Sequence, residues 1–250
     1  MEGLAETLIE LQALTERLRR ECPWDREQTA QTIVPHTVEE AYEVADAALA
    51  GDDAKLLDEL GDLLFQVYFL SLLLAERGAG DLAEVARGVH AKLVRRHPHV
   101  FGDVEADTAE RVRSNWERIK VEQEGREGIF HDVAEGLPGL LYARKIQQRA
   151  KAVGFEYPDL AGAMADLDDE VRELKEEPSA AELGDVLFAA TNVARKLDVD
   201  PELALRQAAQ RFRRRVEVAE TLAAEAGENW GELPLERQDA YYDRAKEKTE

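Results

Sequence analysis

One repeat constrains this chain more than any other feature: Glu59-Leu60-Gly61-Asp62 returns as Glu182-Leu183-Gly184-Asp185. Each copy runs into a similar apolar stretch, Leu63-Leu64-Phe65 in the first half and Val186-Leu187-Phe188 in the second. Upstream of each stands an acidic pair at i and i+3, Glu40 with Glu43 and Glu170 with Glu173. Downstream, Lys92-Leu93-Val94-Arg95-Arg96 is matched by Arg211-Phe212-Arg213-Arg214-Arg215, and the segment Trp116 to Lys120 by Tyr242 to Lys246. Motifs recurring in one order, at spacings that drift only through loop lengths, mean an internal duplication. The period is too long and the copies too few for a solenoid. Two related units are expected, residues 1–124 and 140–250. The stretch 125–139, with four glycines and Pro138, is the linker.

Each unit reads as all-α, with no convincing alternating strand. Leu4, Leu8, Leu11, Leu14 and Leu18 step by three or four along an opening helix that should stop near Cys22-Pro23. Thr37 is the expected N-cap of a helix to Ala50, with Glu40 completing a capping box. Gly51-Asp52-Asp53 then makes a turn. The next helix carries Glu59, Asp62 and the apolar run to Glu76, and further helices follow over 82–96 and 108–124. In the second half the series restarts at Leu141 to Ala152, and Gly154-Phe155-Glu156 takes the place of Pro23-Trp24-Asp25.

Composition narrows the function. Of 250 residues, 44% are apolar, enough for a core, and the net charge of −21 repels nucleic acid and acidic membranes alike. Cys22 is the only cysteine, so neither an intrachain disulfide nor a cysteine-built zinc site is available. The start is acidic and lacks a basic leader, and the longest apolar run, Leu63 to Ala75, falls short of the roughly 20 residues a bilayer span needs. The expectation is a soluble, cytoplasmic chain with no nucleic-acid or membrane partner.

Residues at i and i+3 are neighbours on a helix. Glu40 with Glu43 therefore forms one carboxylate clamp and Glu59 with Asp62 another, and a tight turn at Gly51 would set them face to face. Glu170, Glu173, Glu182 and Asp185 repeat the arrangement. Four converging carboxylates repel one another and call for cations. An all-oxygen set favours Mg²⁺, with Mn²⁺ as its substitute, and a di-iron bundle would want a Glu-x-x-His pair that neither quartet contains. Gly61 and Gly184 each cost their helix about 1 kcal/mol, which makes sense if another backbone or a ligand approaches there. The competing reading is a solvated acidic face on a helical scaffold that binds protein partners.

Arg95 and Arg96 stand out in so acidic a chain, because guanidinium groups bind phosphate in a bidentate fork. His97 and His99 beside them fit ligation or local hydrogen bonding. Trp24 and Trp116 fit either base stacking or core packing, and Trp230 the core. Lys120 and Lys246 close the aligned segments and can reach a phosphate.

These residues together resemble the MazG family of nucleoside triphosphate pyrophosphohydrolases in its two-domain form. The resemblance rests on Cys22 to Thr29, Glu39-Glu40-Ala41-Tyr42-Glu43, Glu59 to Gln66 and Arg95 to Phe101, then Val153 to Glu156, Glu182 to Phe188 and Asp200-Pro201-Glu202. It implies tandem all-α bundles, usually assembled as a homodimer, that cleave NTP or dNTP to the monophosphate and pyrophosphate with Mg²⁺. The implied metal ligands are Glu40, Glu43, Glu59 and Asp62, then Glu170, Glu173, Glu182 and Asp185. For magnesium-assisted hydrolysis the candidate general base beside each cluster is Glu39, or Asp169 in the second copy. The resemblance places nucleotide contacts at Arg211, Arg214, Arg215 and Tyr242 in the second half, beside the first-half candidates Trp24, Arg95, Arg96 and Lys120 read above from their chemistry. The second half departs from the pattern at Asp169, at Asp166, where a lysine is common, and in the short lysine-free loop from Pro178 to Ala181. These departures weaken the expectation of nucleotide binding there, not that of metal binding. Broad base tolerance is the expected specificity, and selectivity for one dNTP is the alternative.

Overall fold

In a computed structural model of the chain, residues 2–104, 106–108, 111, 112, 115, 116, 119, 128–131 and 133–249 are described. Among them every regular element is helical. The chain divides into two compact units, Met1–Trp116 and Glu117–Glu250. Among the described residues no helix is long and apolar enough to cross a membrane.

Unit 1 contains α1 (Glu2–Glu21), the short α2 (Pro23–Glu27), α3 (Ala30–Ala50), α4 (Asp53–Glu76), α5 (Leu82–Arg96) and the single turn α6 (Pro98–Phe101). Helices α3 and α4 are its centre. Gly51 ends α3 in the left-handed region at φ 69°, and Asp52 at once caps α4 by accepting from the Lys55 N–H. So short a connection folds the two helices back on each other around Ile33, Phe69 and Leu73, with Phe65 and Leu70 packed alongside. Helix α1 packs on α4, and its Leu8 carbonyl accepts from the Tyr68 hydroxyl. Arg19 holds the turn after α1, donating to the Asp25 and Gln28 carbonyls while pairing through two nitrogens with Glu76.

The start of α3 corrects the expectation from sequence. Thr29, not Thr37, is the N-cap, and its capping box is closed by Thr32 rather than by Glu40. The helix runs straight through Pro35. Pro35 lies in the second turn, where its missing N–H forfeits the bond to the Gln31 carbonyl. The consequence is functional: Glu40 lies in mid-helix, and its carboxylate is free to face α4.

Unit 2 is built from α7 (Gly139–Ala152), α8 (Leu160–Glu176), α9 (Ala180–Lys196), α10 (Pro201–Glu225) and α11 (Leu235–Thr249), with a 3₁₀ turn at Trp230–Glu232. Helices α8 and α9 pair as α3 and α4 do, and α7 packs on α9, where Gln147 donates to the Phe188 carbonyl at 2.8 Å. Helices α10 and α11 form a hairpin whose core is Ala219, Leu222, Ala223, Tyr241 and Ala245, and Trp230 packs against it. The expected linker positions 128–131 and 133–138 carry neither helix nor strand. Of the helix expected over 108–124, Arg111, Val112, Asn115, Trp116 and Ile119 are helical, and Lys120 lies outside the described residues.

Candidate metal centre

Glu40 and Glu43 project from α3 toward Glu59 on α4, and one carboxylate oxygen from each lies within 4.8 Å of the other two. Glu170, Glu173 and Glu182 converge equally closely in unit 2. The fourth acid of each set, Asp62 or Asp185, is exposed and lies outside these tight triplets. Each still acts at short range, since Asp62 raises Glu40 and Asp185 raises Glu170. No histidine or cysteine enters either cluster, so the donors are hard oxygens, the set that suits Mg²⁺.

Both clusters hold more negative charge than their surroundings compensate. Burial first, then Asp62, Glu43, Glu59 and Glu39, push the Glu40 carboxyl above the ordinary range. Glu59, only 6% exposed, is raised by burial and then by its contact with Glu43, and Lys55 partly reverses the effect from 3.6 Å. Glu170 is raised by burial, then by Glu173, Asp185, Asp166 and Glu182. A divalent cation would relieve all three.

Glu39 and Asp169 sit on the exposed flank of the clusters. The Glu39 carboxylate lies 3.7 Å from His36 Nδ1, whereas Asp169 is engaged by Arg172 at 2.6 Å. Gly61 and Gly184 have no backbone neighbour of the kind that would require glycine: a Cβ at either position meets nothing within 4 Å. Gly61 instead lines an open depression with Lys55, Asp58, Glu59 and Asp62.

The remaining predicted residues are distributed more widely. Trp24, half exposed, meets the His36 ring in a T-shaped contact with centroids 5.8 Å apart. Arg95 and Arg96 end α5, and His97, which follows them, packs its ring against His99 and Trp116. Arg211 and Arg214 are exposed on α10, and Arg215 donates to Thr249 Oγ1 at 3.4 Å. Tyr242 packs on Phe212, and the Lys246 ammonium lies 5.1 Å from its ring centroid.

Three neighbours of the clusters, Lys55, His36 and Tyr157, escaped sequence reasoning. Lys55 and His36 each stand four residues before an acid of unit 1, an i, i+4 spacing that was available as a signal. Asp166 holds the place of His36 in unit 2, and Tyr157 donates to its Oδ1 at 2.7 Å. That last pairing joins a loop to a helix and has no local sequence signature.

The profile of the MazG nucleotide pyrophosphohydrolase domain matches residues 28–101, which span α3, α4 and α5. A nucleoside triphosphate pyrophosphohydrolase/pyrophosphatase MazG from Thermotoga maritima is 39% identical over 245 residues, covering 95% of this chain and 94% of that one. A nucleoside triphosphate pyrophosphohydrolase from Escherichia coli K12 is 38% identical over 90% of both chains. A third, from Mycobacterium tuberculosis, is 32% identical over 78% of this chain and 65% of its own.

Proposed function

Since the chain belongs to the MazG family of nucleotide pyrophosphohydrolases, we propose that it cleaves nucleoside triphosphates to monophosphate and pyrophosphate at its acidic clusters, with Mg²⁺. It is a hydrolase of phosphoric anhydrides. The observation that carries the reading is the convergence of three carboxylates within 4.8 Å, between helices placed to receive a cation. Glu40, Glu43 and Glu59, with Asp62 beside them, would hold Mg²⁺ in unit 1; Glu170, Glu173, Glu182 and Asp185 are their equivalents. Bound there, the ion would neutralise and polarise the phosphate chain.

The protein's own groups do the rest. Glu39, exposed beside the cluster, orients the attacking water and accepts its proton. Lys55 offers an ammonium to the charge that develops on the leaving pyrophosphate, and Arg95 and Arg96 are further donors for it. The exposed indole of Trp24 gives the base a flat surface, and because every base has a π face this contact favours broad specificity. A homodimer fits the exposed apolar stripes Leu57, Leu60, Leu64 and Val67 on α4 and Val85, Val89 and Leu93 on α5. Sedimentation equilibrium tests that assembly.

The decisive assay is a panel of NTPs and dNTPs with Mg²⁺, reading monophosphate and pyrophosphate. Asp62→Asn combined with Asp185→Asn is expected to abolish release while helix content stays intact. Unchanged turnover in that double variant refutes the assignment.

A further inference from the structure

In each unit a short segment leads into the first acidic helix, and a clasp ties that segment to the end of the second. In unit 1 the segment is α2 with Gln28, and the clasp is Arg19, whose side chain is only 17% exposed. Its Nε and Nη2 donate to the Glu76 carboxylate at the end of α4, at 2.8 and 2.9 Å. Its Nη1 donates to the carbonyls of Asp25 and Gln28. So short a helix has few internal partners for the C=O groups at its C-terminal end, and a cation is favoured there. In unit 2 the charges are exchanged. The acid, Glu156, lies in the segment itself, the cations Arg195 and Lys196 end α9, and Lys196 also donates to the Tyr157 carbonyl.

Either clasp closes the open end of a helical hairpin. That need alone does not account for the aromatic side chain each segment delivers. Trp24 meets the His36 ring in a T-shaped contact, four residues before Glu40, and the Tyr157 hydroxyl donates to Asp166, four residues before Glu170. In unit 1 the hold extends to the backbone of the aromatic residue. The Gln28 side-chain amide donates to the Trp24 carbonyl at 2.9 Å, and its oxygen accepts from the Thr32 hydroxyl at 2.8 Å. A continuous line of polar contacts therefore runs from Glu76 through Arg19 and Gln28 to Trp24. The indole it fixes is nevertheless half exposed, and its neighbour His36 lies 3.7 Å from Glu39 on the flank of the cluster. A flat ring held from behind and open in front loses little freedom when another ring is laid on it, which is the advantage of preorganisation.

We propose that Arg19, with Glu76, is a positioning residue that holds the Trp24 indole as the platform for the nucleobase, so that this clasp sets affinity for the base and not for the phosphate chain. This deepens the function proposed above and rests on it. Arginine suits the task because its planar fork reaches a carboxylate and two carbonyls at once, whereas the lysine ammonium is a single point charge.

The full chain, assayed for pyrophosphate release from ATP with Mg²⁺, tests this. Arg19→Lys and Glu76→Gln should each raise KM at least about fivefold and leave kcat within about twofold, with wild-type helix content. Inorganic tripolyphosphate, a phosphate chain without a base, should inhibit both variants and wild type with constants within about twofold of one another. Trp24→Ala should raise KM about tenfold, and Arg19→Lys added to it should have no further effect, because a residue that acts through the indole is silent once the indole is gone. An unchanged KM in the folded clasp variants overturns this inference and leaves the proposed function standing. So does a loss of tripolyphosphate inhibition as large as the loss for ATP, or additivity of Arg19→Lys with Trp24→Ala. A wild-type chain that releases no pyrophosphate from any triphosphate overturns the proposed function and this inference together.

Discussion

The two acidic clusters share a backbone plan and differ in what surrounds it. In unit 1, Glu59 is buried and faces Lys55; in unit 2, Glu182 is half-buried in the first turn of its helix, and the nearby addition is Asp166. The segments ahead of the first acidic helix are also anchored by different means. In unit 1 the anchor is Arg19 on α1, which pairs with Glu76 at the end of α4 and holds the Asp25 and Gln28 carbonyls. In unit 2 it is Glu156, within the segment itself, gripped by Arg195 and Lys196 at the end of α9. Convergence of the carboxylates depends only on helical spacing and a tight connection, and both halves keep those. The charge environment depends on single side chains, and these differ between the halves. Geometry can persist after the electrostatics that made it useful have shifted.

The largest expected effect separates the clusters directly. Glu59→Gln should reduce pyrophosphate release about 100-fold, and Glu182→Gln less than about threefold, measured at saturating Mg²⁺. Equal losses would erase the distinction between the units.

The anchors come next, and they bear on stability. Burial pushes the Glu156 carboxyl up, but hydrogen bonds from Lys196 and Arg195 and the charges of Arg195 and Lys151 outweigh it, so the net shift is downward. A carboxyl depressed in the folded state stabilises it above the unfolded value, near 4.3, and that stability is lost as the pH falls through the folded value. Glu156→Gln should cost about 2–3 kcal/mol in urea unfolding at pH 7, and the gap from wild type should close in acid. In unit 1, Glu76 is lowered mainly by the Arg19 hydrogen bond, but its side chain is 40% exposed. Glu76→Gln should cost no more than about 1 kcal/mol. A larger loss there would show the two anchors to be equivalent.

Lys55→Ala is expected to raise KM for ATP about tenfold while helix content is unchanged, because it removes the one cation paired with a cluster acid among the described residues. Unchanged kinetics would leave Lys55 without a role in substrate binding.

The glycines give the finest discrimination. Neither Gly61 nor Gly184 has positive φ, and neither has a neighbour within 4 Å of the missing Cβ. Alanine at either position should therefore stabilise its helix by about 1 kcal/mol in thermal unfolding. Gly61→Ala should also impair turnover, since Gly61 lines the open depression beside Glu59 and Asp62. Impairment by Gly184→Ala instead would move substrate to unit 2.

Much of this was legible in the residues. The helix from Asp53 to Glu76, the break at Gly78 to Asp81 and the helix from Leu82 to Arg96 follow from periodicity and local caps. Thr37 shows where such reading fails. A threonine after a proline, three residues before a glutamate, satisfies every local rule for a helix start, yet Thr29 and Thr32 cap the helix a full two turns earlier. Packing of Ile33 against Phe69 and Leu73 rewards the added turns and outweighs the cost of Pro35 inside the helix. Tyr157 on Asp166 was equally out of reach, because it joins residues from two different elements.

From the amino-acid order alone came the duplication, the helical class and the pairing of acids at i and i+3, all consequences of a 3.6-residue period that acts locally. The tertiary structure decided which carboxylates meet, leaving Asp62 and Asp185 outside the tight triplets, and it decided that Glu59 is buried beside Lys55 while Asp166 is held at the other cluster. Those outcomes depend on how two helices cross and on which loop reaches over them. Distances between elements are set by packing, and a one-dimensional pattern does not encode them separately.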